Sequence, residues 1–200
     1  MKFNSLKTMQ LRIYQISHPL VKLVVTRITM QNISKTDIEC YYRYIGFLIM
    51  YEIMRKYIEV KNLHIQLINK VKNLHVIDKQ KQYLILTNTS KTYHMITDIK
   101  SLMPNIEIAH VSYDNINTIK DCIQNLNINP KNINIFIIEK TTEDEKIIKL
   151  IDYLKNIKEI SICNINIANV LSNSIILTKI GEKYPKLKVY TAKINYNTKY

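Results

Sequence analysis

The stretch from Asn132 to Asn156 carries the residue types best placed to bind an anion. Its apolar, β-branched run Ile133 to Ile138 predicts a buried strand, and a helical pattern predicts a helix from Glu143 to Lys155. In an open α/β sheet, ligands bind outside the carboxyl ends of the strands, where a helix N-terminus presents unpaired N–H groups. This position therefore predicts a phosphate site.

The side chains at this position do not match that chemistry. The turn contains no glycine, and we expect Glu143, Asp144 and Glu145 in the first turn of the helix, where acids complement the helix dipole. Thr141 and Thr142 are interpreted as an N-cap rather than as phosphate ligands. The location is therefore typical of a phosphate-binding site, whereas the acidic, glycine-free sequence is not.

Other kinds of chemistry have little support. Glu139 and Asp144 could line one pocket rim for acid–base work, but acids around a helix start are usually caps or dipole partners. The chain has no Gly-x-Ser-x-Gly elbow and no cysteine near a histidine in a recognisable arrangement. We assign no catalytic residue.

The two glycines of the chain, Gly46 and Gly181, both fall in predicted helices. A GxGxxG loop or a P-loop needs glycine, because its backbone adopts positive φ and approaches the phosphate closely. A glycine-built phosphate loop is therefore excluded. The three cysteines and five histidines are scattered, so the sequence supports neither a disulfide scaffold nor a metal site.

The formal charge of +13 and the pI near 9.5 would ordinarily indicate a nucleic-acid or anionic partner. The basic residues are mostly lysines spread along the chain, without a dense run. Residues with A/T-rich codons are abundant, whereas Gly is 2, Pro 4 and Trp 0, which indicates an AT-rich genome. We therefore regard nucleic-acid binding as the less favoured interpretation.

Membrane insertion and secretion are not predicted either. No apolar run approaches the roughly 20 residues that a membrane span requires. Met1 to Gln10 alternates polar and apolar residues and lacks the continuous apolar segment of a signal peptide.

From residue 83 onward, strand patterns alternate with helical patterns, which predicts βαβ units and a mainly parallel sheet flanked by helices. The predicted strands are Leu11–Ile16, Tyr83–Leu86, Ile106–Tyr113, Ile133–Ile138, Glu159–Ala168 and Leu187–Ile194. The predicted helices are Leu23–Met30, Lys35–Tyr57, Thr92–Met103, Ile116–Leu126, Glu143–Lys155 and Asn173–Lys183. We expect one domain over residues 1–200.

Two features stand out before this alternation. Ser34 is expected to cap the helix Lys35–Tyr57, with Asp37 returning toward it, and Gly46 inside that helix predicts close packing against a neighbour. Between Val60 and Ile77, two short alternating runs flank Asn69-Lys70 and predict a possible β-hairpin.

Both ends of the chain resemble the uracil phosphoribosyltransferase family. A late segment, Tyr184 to Ile194 (YPKLKVYTAKI), is similar to the family's strand HPDVELYTASID. The early residues that match are Ile16-Ser17-His18-Pro19-Leu20-Val21-Lys22, Gln31, Ile33-Ser34, Gly46, Leu48 and Tyr51-Glu52. The resemblance covers about a quarter of the chain and implies a type I phosphoribosyltransferase-like fold with an amino-terminal helical arm.

The substrate-contacting modules of the family are altered. Its phosphate loop, Asp-Pro-Met-Leu-Ala-Thr-Gly-Gly-Ser, corresponds to Glu139–Glu145, which loses both glycines and gains acids. Its Leu-Arg-Ala-Gly module falls at Leu86–Thr89, without the arginine or the glycine. A Gly-rich uracil-reading segment would follow Asn195, and the sequence ends at Tyr200, so we expect a chain shortened at its carboxyl end. Degenerate phosphate-loop positions remain as substrate-binding candidates: Glu139, Thr141 and Thr142.

The resemblance implies an enzyme of pyrimidine salvage that condenses uracil with phosphoribosyl pyrophosphate to give UMP, with Mg²⁺ on the pyrophosphate. Because its modules are altered, we expect a homologue that has lost the reaction, so that Mg²⁺ matters only if activity is retained. The alternatives are an active transferase with a site rebuilt around Lys140, or a basic nucleic-acid-associated protein.

Two further expectations follow from the resemblance. Family enzymes are oligomeric, so we expect a homo-oligomer with contacts through the amino-terminal arm and first helix. The AT-rich composition together with a bacterial-type family predicts a plastid-encoded protein, and a nuclear gene with a transit peptide would contradict that.

Overall fold

A computed structural model of the chain describes residues 10–30, 32–68, 70–113, 116–124, 126, 128–142 and 144–196. Several positions used in the sequence predictions lie outside the described residues: residues 1–9 and 197–200, Gln31, Asn69, Asn125 and Glu143.

The described ranges contain eight β-strands, six of which form one parallel sheet. In chain order they are β1 (Arg12–Gln15), β2 (Val60–Leu67), β3 (Lys70–Ile77), β4 (Gln82–Thr87), β5 (Glu107–His110), β6 (Ile133–Thr142), β7 (Ile165–Asn173) and β8 (Lys188–Asn195). The order across the sheet is β1-β8-β7-β6-β4-β5, with every neighbouring pair parallel. β2 and β3 pair separately as an antiparallel hairpin. The predicted α/β class, parallel sheet and hairpin are confirmed.

Helices cover both faces of the sheet. In the described ranges they are α1 (Pro19–Thr29), α2 (Lys35–Tyr57), α3 (Thr89–Leu102), α4 (Ile116–Gln124), α5 (Lys146–Asn156) and α6 (Ser174–Lys183), with a 3₁₀ turn at Ile162–Asn164. Buried residues of α1, α2 and α3 pack on one face, and those of α4, α5 and α6 pack on the other. A central strand such as β6 is thus buried on both faces, which explains the continuous apolar run from Ile135 to Ile138.

The capped helix α2 has the bounds that the sequence predicts. Ser34 Oγ accepts the Asp37 N–H at 3.1 Å, and the Ser34 hydroxyl donates to the Asp37 carboxylate at 2.7 Å. α1 begins at Pro19, four residues before the predicted Leu23, because proline suits the first helical position and His18 Nδ1 accepts the N–H of Leu20.

The hairpin has two chemically different faces. On one face, Asn62 pairs with His75 and His64 pairs with Asn73, each through a 2.7 Å side-chain hydrogen bond. By strand alternation the other face, here called the apolar face, carries Leu63, Ile65, Leu67, Leu74 and Val76 together with three lysines, Lys61, Lys70 and Lys72. All of its apolar residues except the half-buried Leu74 are exposed.

The region after residue 138 differs most from the predictions. β6 continues to Thr142, so Thr141 and Thr142 are strand residues and the N-cap prediction is wrong. α5 begins at Lys146, so Asp144 and Glu145 lie before the helix rather than in its first turn. The reason is the partner strand, since Glu139 to Thr142 continue their pairing with β7.

β7 itself begins at Ile165, not at the predicted Glu159. Glu159 has φ 54°, a left-handed conformation that a strand residue does not adopt, and the 3₁₀ turn Ile162–Asn164 follows it. Two smaller differences are that β5 ends at His110 and α3 begins at Thr89.

The chain reverses direction across the sheet between β4 and β6. β5 lies on the outer side of β4, and β6, β7 and β8 continue on its other side. α3 follows β4 on one face, and α5 follows β6 on the opposite face. Such a switch point opens a crevice at the carboxyl ends of the two strands.

Gly46 brings α2 against α3, as the sequence predicts. A Cβ on Gly46 would approach the backbone oxygen of Met95 to 2.4 Å, whereas a Cβ on Gly181 would meet only the Leu11 side chain at 3.1 Å. We expect Gly46→Ala to lower the free energy of unfolding by about 1–3 kcal/mol, because a backbone contact must move. Urea denaturation measures this change.

Gly181→Ala is the matched control. The gain in helix propensity of about 1 kcal/mol offsets a small shift of the Leu11 side chain, so the net change should stay within about 1 kcal/mol. Equal destabilisation by the two substitutions would contradict the close-packing role of Gly46.

Candidate functional site

A cleft of about 500 Å³ lies at the switch point, above the carboxyl ends of β4 and β6. It is the crevice in which ligands bind in open α/β sheets, and its volume is typical of small-molecule sites. The starts of α3 and α5 and the segment after β5 complete its walls. Its lining residues are Asn88, Ser90, Lys91, Tyr113, Glu139, Lys140, Thr141, Thr142, Asp144, Lys146 and Ile147.

The three sequence-predicted positions, Glu139, Thr141 and Thr142, all line this cleft. They do so as strand residues, because Glu139 pairs with Asn169, Thr141 with Leu171 and Thr142 with Ser172. The carboxyl end of β6 is therefore extended where the resemblance implied a phosphate loop.

A buried polar network holds this extension in place. Asn169 Nδ2 donates to Thr142 Oγ1, and Ser172 Oγ lies 2.9 Å from both Asn169 Oδ1 and Thr191 Oγ1. All four side chains are buried, and they join β6, β7 and β8. Because buried polar groups are costly to leave unpaired, this network favours one register of the three strands.

The position of the family's second module, Leu86 to Thr89, is also occupied by internal contacts. The Thr87 hydroxyl is buried and donates to the Ile138 carbonyl of β6. At the start of α3, the Thr89 N–H donates to His110 Nδ1 at 3.1 Å. These contacts tie β4 to β6 and α3 to β5.

Glu139 and Tyr113 form a shielded polar pair in the wall of the cleft. Glu139 Oε1 and Tyr113 Oη are both buried, and neither has a hydrogen-bond partner within the described part of the chain. Burial raises the pKa of Glu139 to about 7, an effect that Tyr113 and Lys91 partly oppose. Burial and the neighbouring Glu139 also raise the pKa of Tyr113 well above its usual value. Near neutral pH, Glu139 is thus present in both its neutral and its ionised form.

The cleft carries charges of both signs. Lys140 Nζ lies 4.1 Å from the centroid of the Tyr42 ring, and burial lowers the pKa of this lysine. Lys146 Nζ lies 3.8 Å from an Asp144 oxygen, a pair exposed to solvent. Lys140 and Lys146 therefore each contact another side chain of the protein in the absence of a ligand.

A divalent cation has poor support in this cleft. In the described residues, no group of three His, Cys, Asp or Glu side chains could hold a metal ion. The cleft offers the carboxylates of Glu139, shielded beside Tyr113, and of Asp144, beside Lys146. Two such carboxylates do not form a Mg²⁺ site by themselves, since Mg²⁺ usually keeps several waters and binds one or two carboxylates together with substrate phosphates.

Sequence reasoning missed Tyr113, Lys91 and Ser90. Tyr113 follows the carboxyl end of β5, and Ser90 and Lys91 open α3 after β4. Their positions after predicted strands could have identified them, because the carboxyl ends of all parallel strands meet at one edge of the sheet.

The pKa of Glu139 predicts a pH dependence of stability. Its pKa is about 7 in the folded chain against an ordinary value of 4.5, so the folded chain holds a proton that the unfolded chain has released. The stabilising contribution of Glu139 is therefore complete below pH 4.5 and is lost as the pH rises through 7, at a cost of up to about 3 kcal/mol. Urea denaturation between pH 5 and 8.5 measures it.

Glu139→Gln should remove this component of the pH dependence. The exposed Glu107 on β5 provides the matched control, since Glu107→Gln should keep the wild-type profile. An unchanged profile in Glu139→Gln would show that Glu139 does not titrate in this range.

Comparison with known proteins gives consistent results. The model of the uracil phosphoribosyltransferase family matches residues 15–199. A protein of Pyropia yezoensis described as a uracil phosphoribosyltransferase homolog is 26% identical over 191 residues, covering 94% of this chain and 91% of that protein. One of Porphyra purpurea with the same description is 28% identical over 190 residues, covering 94% and 90%.

A solved structure shares the fold. The AQ2163 protein from Aquifex aeolicus superposes with a TM-score of 0.65 at 12% identity, covering 92% of this chain and 88% of that one. With the family model matching nearly the whole chain, this protein belongs to the uracil phosphoribosyltransferase family.

Proposed function

We propose that this chain is a uracil phosphoribosyltransferase homologue that keeps the family fold and an open cleft but does not catalyse the formation of UMP from uracil and phosphoribosyl pyrophosphate. The observation that carries the proposal is the extended carboxyl end of β6. A phosphate-binding loop must turn its N–H groups toward the anion, whereas Glu139 to Thr142 lie in a strand paired with β7.

The two carboxylates in the cleft support the same proposal. Glu139 and Asp144 both line the space that a pyrophosphate would occupy, and neither glycine nor arginine lies among the lining residues. A carboxylate about 4 Å from a phosphate repels it by roughly 4 kcal/mol at an effective dielectric constant of about 20. This repulsion operates whenever Glu139 is ionised.

An active transferase with a rebuilt site is the second candidate. The observation in its favour is that Lys91, Lys140 and Lys146 all line the cleft, as a lysine-based replacement of the lost arginine requires. Against it, Lys140 packs over Tyr42 and Lys146 lies beside Asp144.

Incubation with uracil, phosphoribosyl pyrophosphate and Mg²⁺ should yield no UMP above the rate without protein, because the pyrophosphate has no binding loop. Calorimetric titration with phosphoribosyl pyrophosphate should likewise release no heat of binding. An active member of the family, assayed in parallel, is the positive control for the reagents.

The outcomes separate the two candidates. Robust UMP formation would contradict the proposal. Heat of binding that disappears in Lys91→Gln would favour the site rebuilt from lysines.

We also propose that the chain forms a homo-oligomer, and the hairpin supports this beyond the amino-terminal contacts implied by the family. A two-stranded sheet is marginally stable in water without a covering surface. The apolar face of the β2–β3 hairpin leaves Leu63 and Leu67 nearly half exposed, at 47% and 44%. Exposed apolar surface of this kind is typical of interfaces between subunits.

Light scattering coupled to size exclusion should give at least twice the chain mass of 23.7 kDa. Leu63→Glu should shift the protein toward the monomer, because it places a charge opposite Leu74, at the one cross-strand pair of this face that is apolar on both strands. Gln66→Glu, on the polar face, is the matched control and should leave the mass unchanged. A wild-type protein that is monomeric at every concentration would contradict the proposal.

The remaining expectations stay predictions. They are the single domain over residues 1–200, the plastid location and the expectation that nucleic acid is not a partner. In the described part of the chain, no helix is long and apolar enough to cross a membrane.

A further inference from the structure

Repulsion of a phosphate does not explain why the Glu139 carboxyl and the Tyr113 hydroxyl are buried without hydrogen-bond partners, and this burial is expensive for the fold. Each buried polar atom without a hydrogen-bond partner costs roughly 1–3 kcal/mol. Among the described residues, Glu139 Oε1 and Tyr113 Oη are the two buried side-chain atoms left in this state, and both residues line the same cleft. Unpaired polar groups gathered in one cavity indicate a place where a ligand completes the hydrogen bonding.

The surroundings of Glu139 come from several elements. Tyr113 faces it from the segment after β5, and Lys91 acts on it from α3. Farther along the cleft wall lie Asp144 and Lys146, while Lys140, the next residue of β6, packs over Tyr42. No described ion pair holds the Glu139 carboxyl in its charged form. A ligand that enters the cleft can therefore shift the balance between its neutral and its ionised form.

The two protonation states accept different ligands. An ionised carboxylate only accepts hydrogen bonds, so it favours a neutral ligand with an O–H or N–H donor and repels a phosphate. The neutral acid would instead tolerate an anion. The direction in which affinity changes with pH therefore identifies the ligand class.

We propose that the cleft binds a neutral ligand that donates an O–H or N–H hydrogen bond to the carboxylate of Glu139 beside Tyr113, and that Glu139 releases its proton when this ligand binds. The inference rests on the proposed function, because it requires that the cleft no longer selects phosphate. Lys140 packs over Tyr42 and Lys146 lies beside Asp144, so neither lysine is directed at the Glu139 carboxylate. A neutral donor avoids the repulsion that an anionic ligand would meet at that carboxylate. The volume of about 500 Å³ admits a molecule of nucleoside size.

Uridine is the probe, since it is neutral from pH 6 to 8, carries both kinds of donor and has no phosphate. Its affinity for the wild-type protein, measured by ligand-observed NMR, should rise about tenfold from pH 6 to pH 8 as Glu139 ionises. The affinity for inorganic phosphate at the same concentrations should not rise from pH 6 to pH 8, because the ionised carboxylate of Glu139 repels an anion.

Three variants test the residues involved. Glu139→Gln should abolish the pH dependence of uridine binding. Tyr113→Phe should weaken uridine binding but leave its pH dependence in place. Asp144→Asn removes a charge from the same cleft without removing the shielded acceptor, so the pH dependence should persist. Circular dichroism of each variant confirms that it is folded.

Absence of uridine binding, binding that is independent of pH, or binding that weakens as the pH rises would each overturn the inference. These outcomes leave the loss of transferase activity standing. UMP formation, in contrast, would contradict the proposed function whatever the uridine result.

Discussion

The pairing of β6 with β7 beyond residue 138 is the constraint on which the site depends. Through Glu139, Thr141 and Thr142 this pairing keeps the backbone extended where a phosphate loop would have to curl. Thr142 is fixed further by Asn169, whose amide continues the hydrogen bonding to Ser172 and Thr191. Curling the end of β6 into a loop would break this buried network as well as the strand pairing, so the fold itself works against the family's ligand geometry.

The extended end of β6 takes the place of a phosphate loop, but it does not fill the crevice beside it. α3 and α5 begin on opposite faces of the sheet at the switch point, and this placement depends on topology rather than on the lost motifs. A cleft is therefore present although its lining lacks the glycines and the arginine of the family's phosphate-binding modules. It is lined by a shielded carboxyl, a buried phenol and two lysines that contact other side chains. On these groups rests our proposal that the cleft takes a neutral hydrogen-bonding ligand rather than pyrophosphate.

Features with local causes could be predicted from the sequence. The bounds of α2 follow from the Ser34 cap and helical periodicity, and the hairpin follows from two alternating runs around a polar centre. Thr141 and Thr142 were misassigned because a threonine fits a helix cap and a strand equally well, and a distant strand makes the choice. The Glu139–Tyr113 pair could not be found from spacing, since it joins segments that meet only through the order of strands in the sheet.

Whether the paired end of β6 prevents binding of phosphoribosyl pyrophosphate can be measured by ³¹P NMR, by adding the protein to this ligand with Mg²⁺. Because the end of β6 stays in the sheet, we expect the chemical shifts and line widths of the phosphate resonances to change no more than they do with an unrelated basic protein. Saturable shifts of the phosphoribosyl pyrophosphate resonances, reversed by an excess of inorganic pyrophosphate, would show that the cleft still binds the family's substrate and that the paired end of β6 does not prevent it.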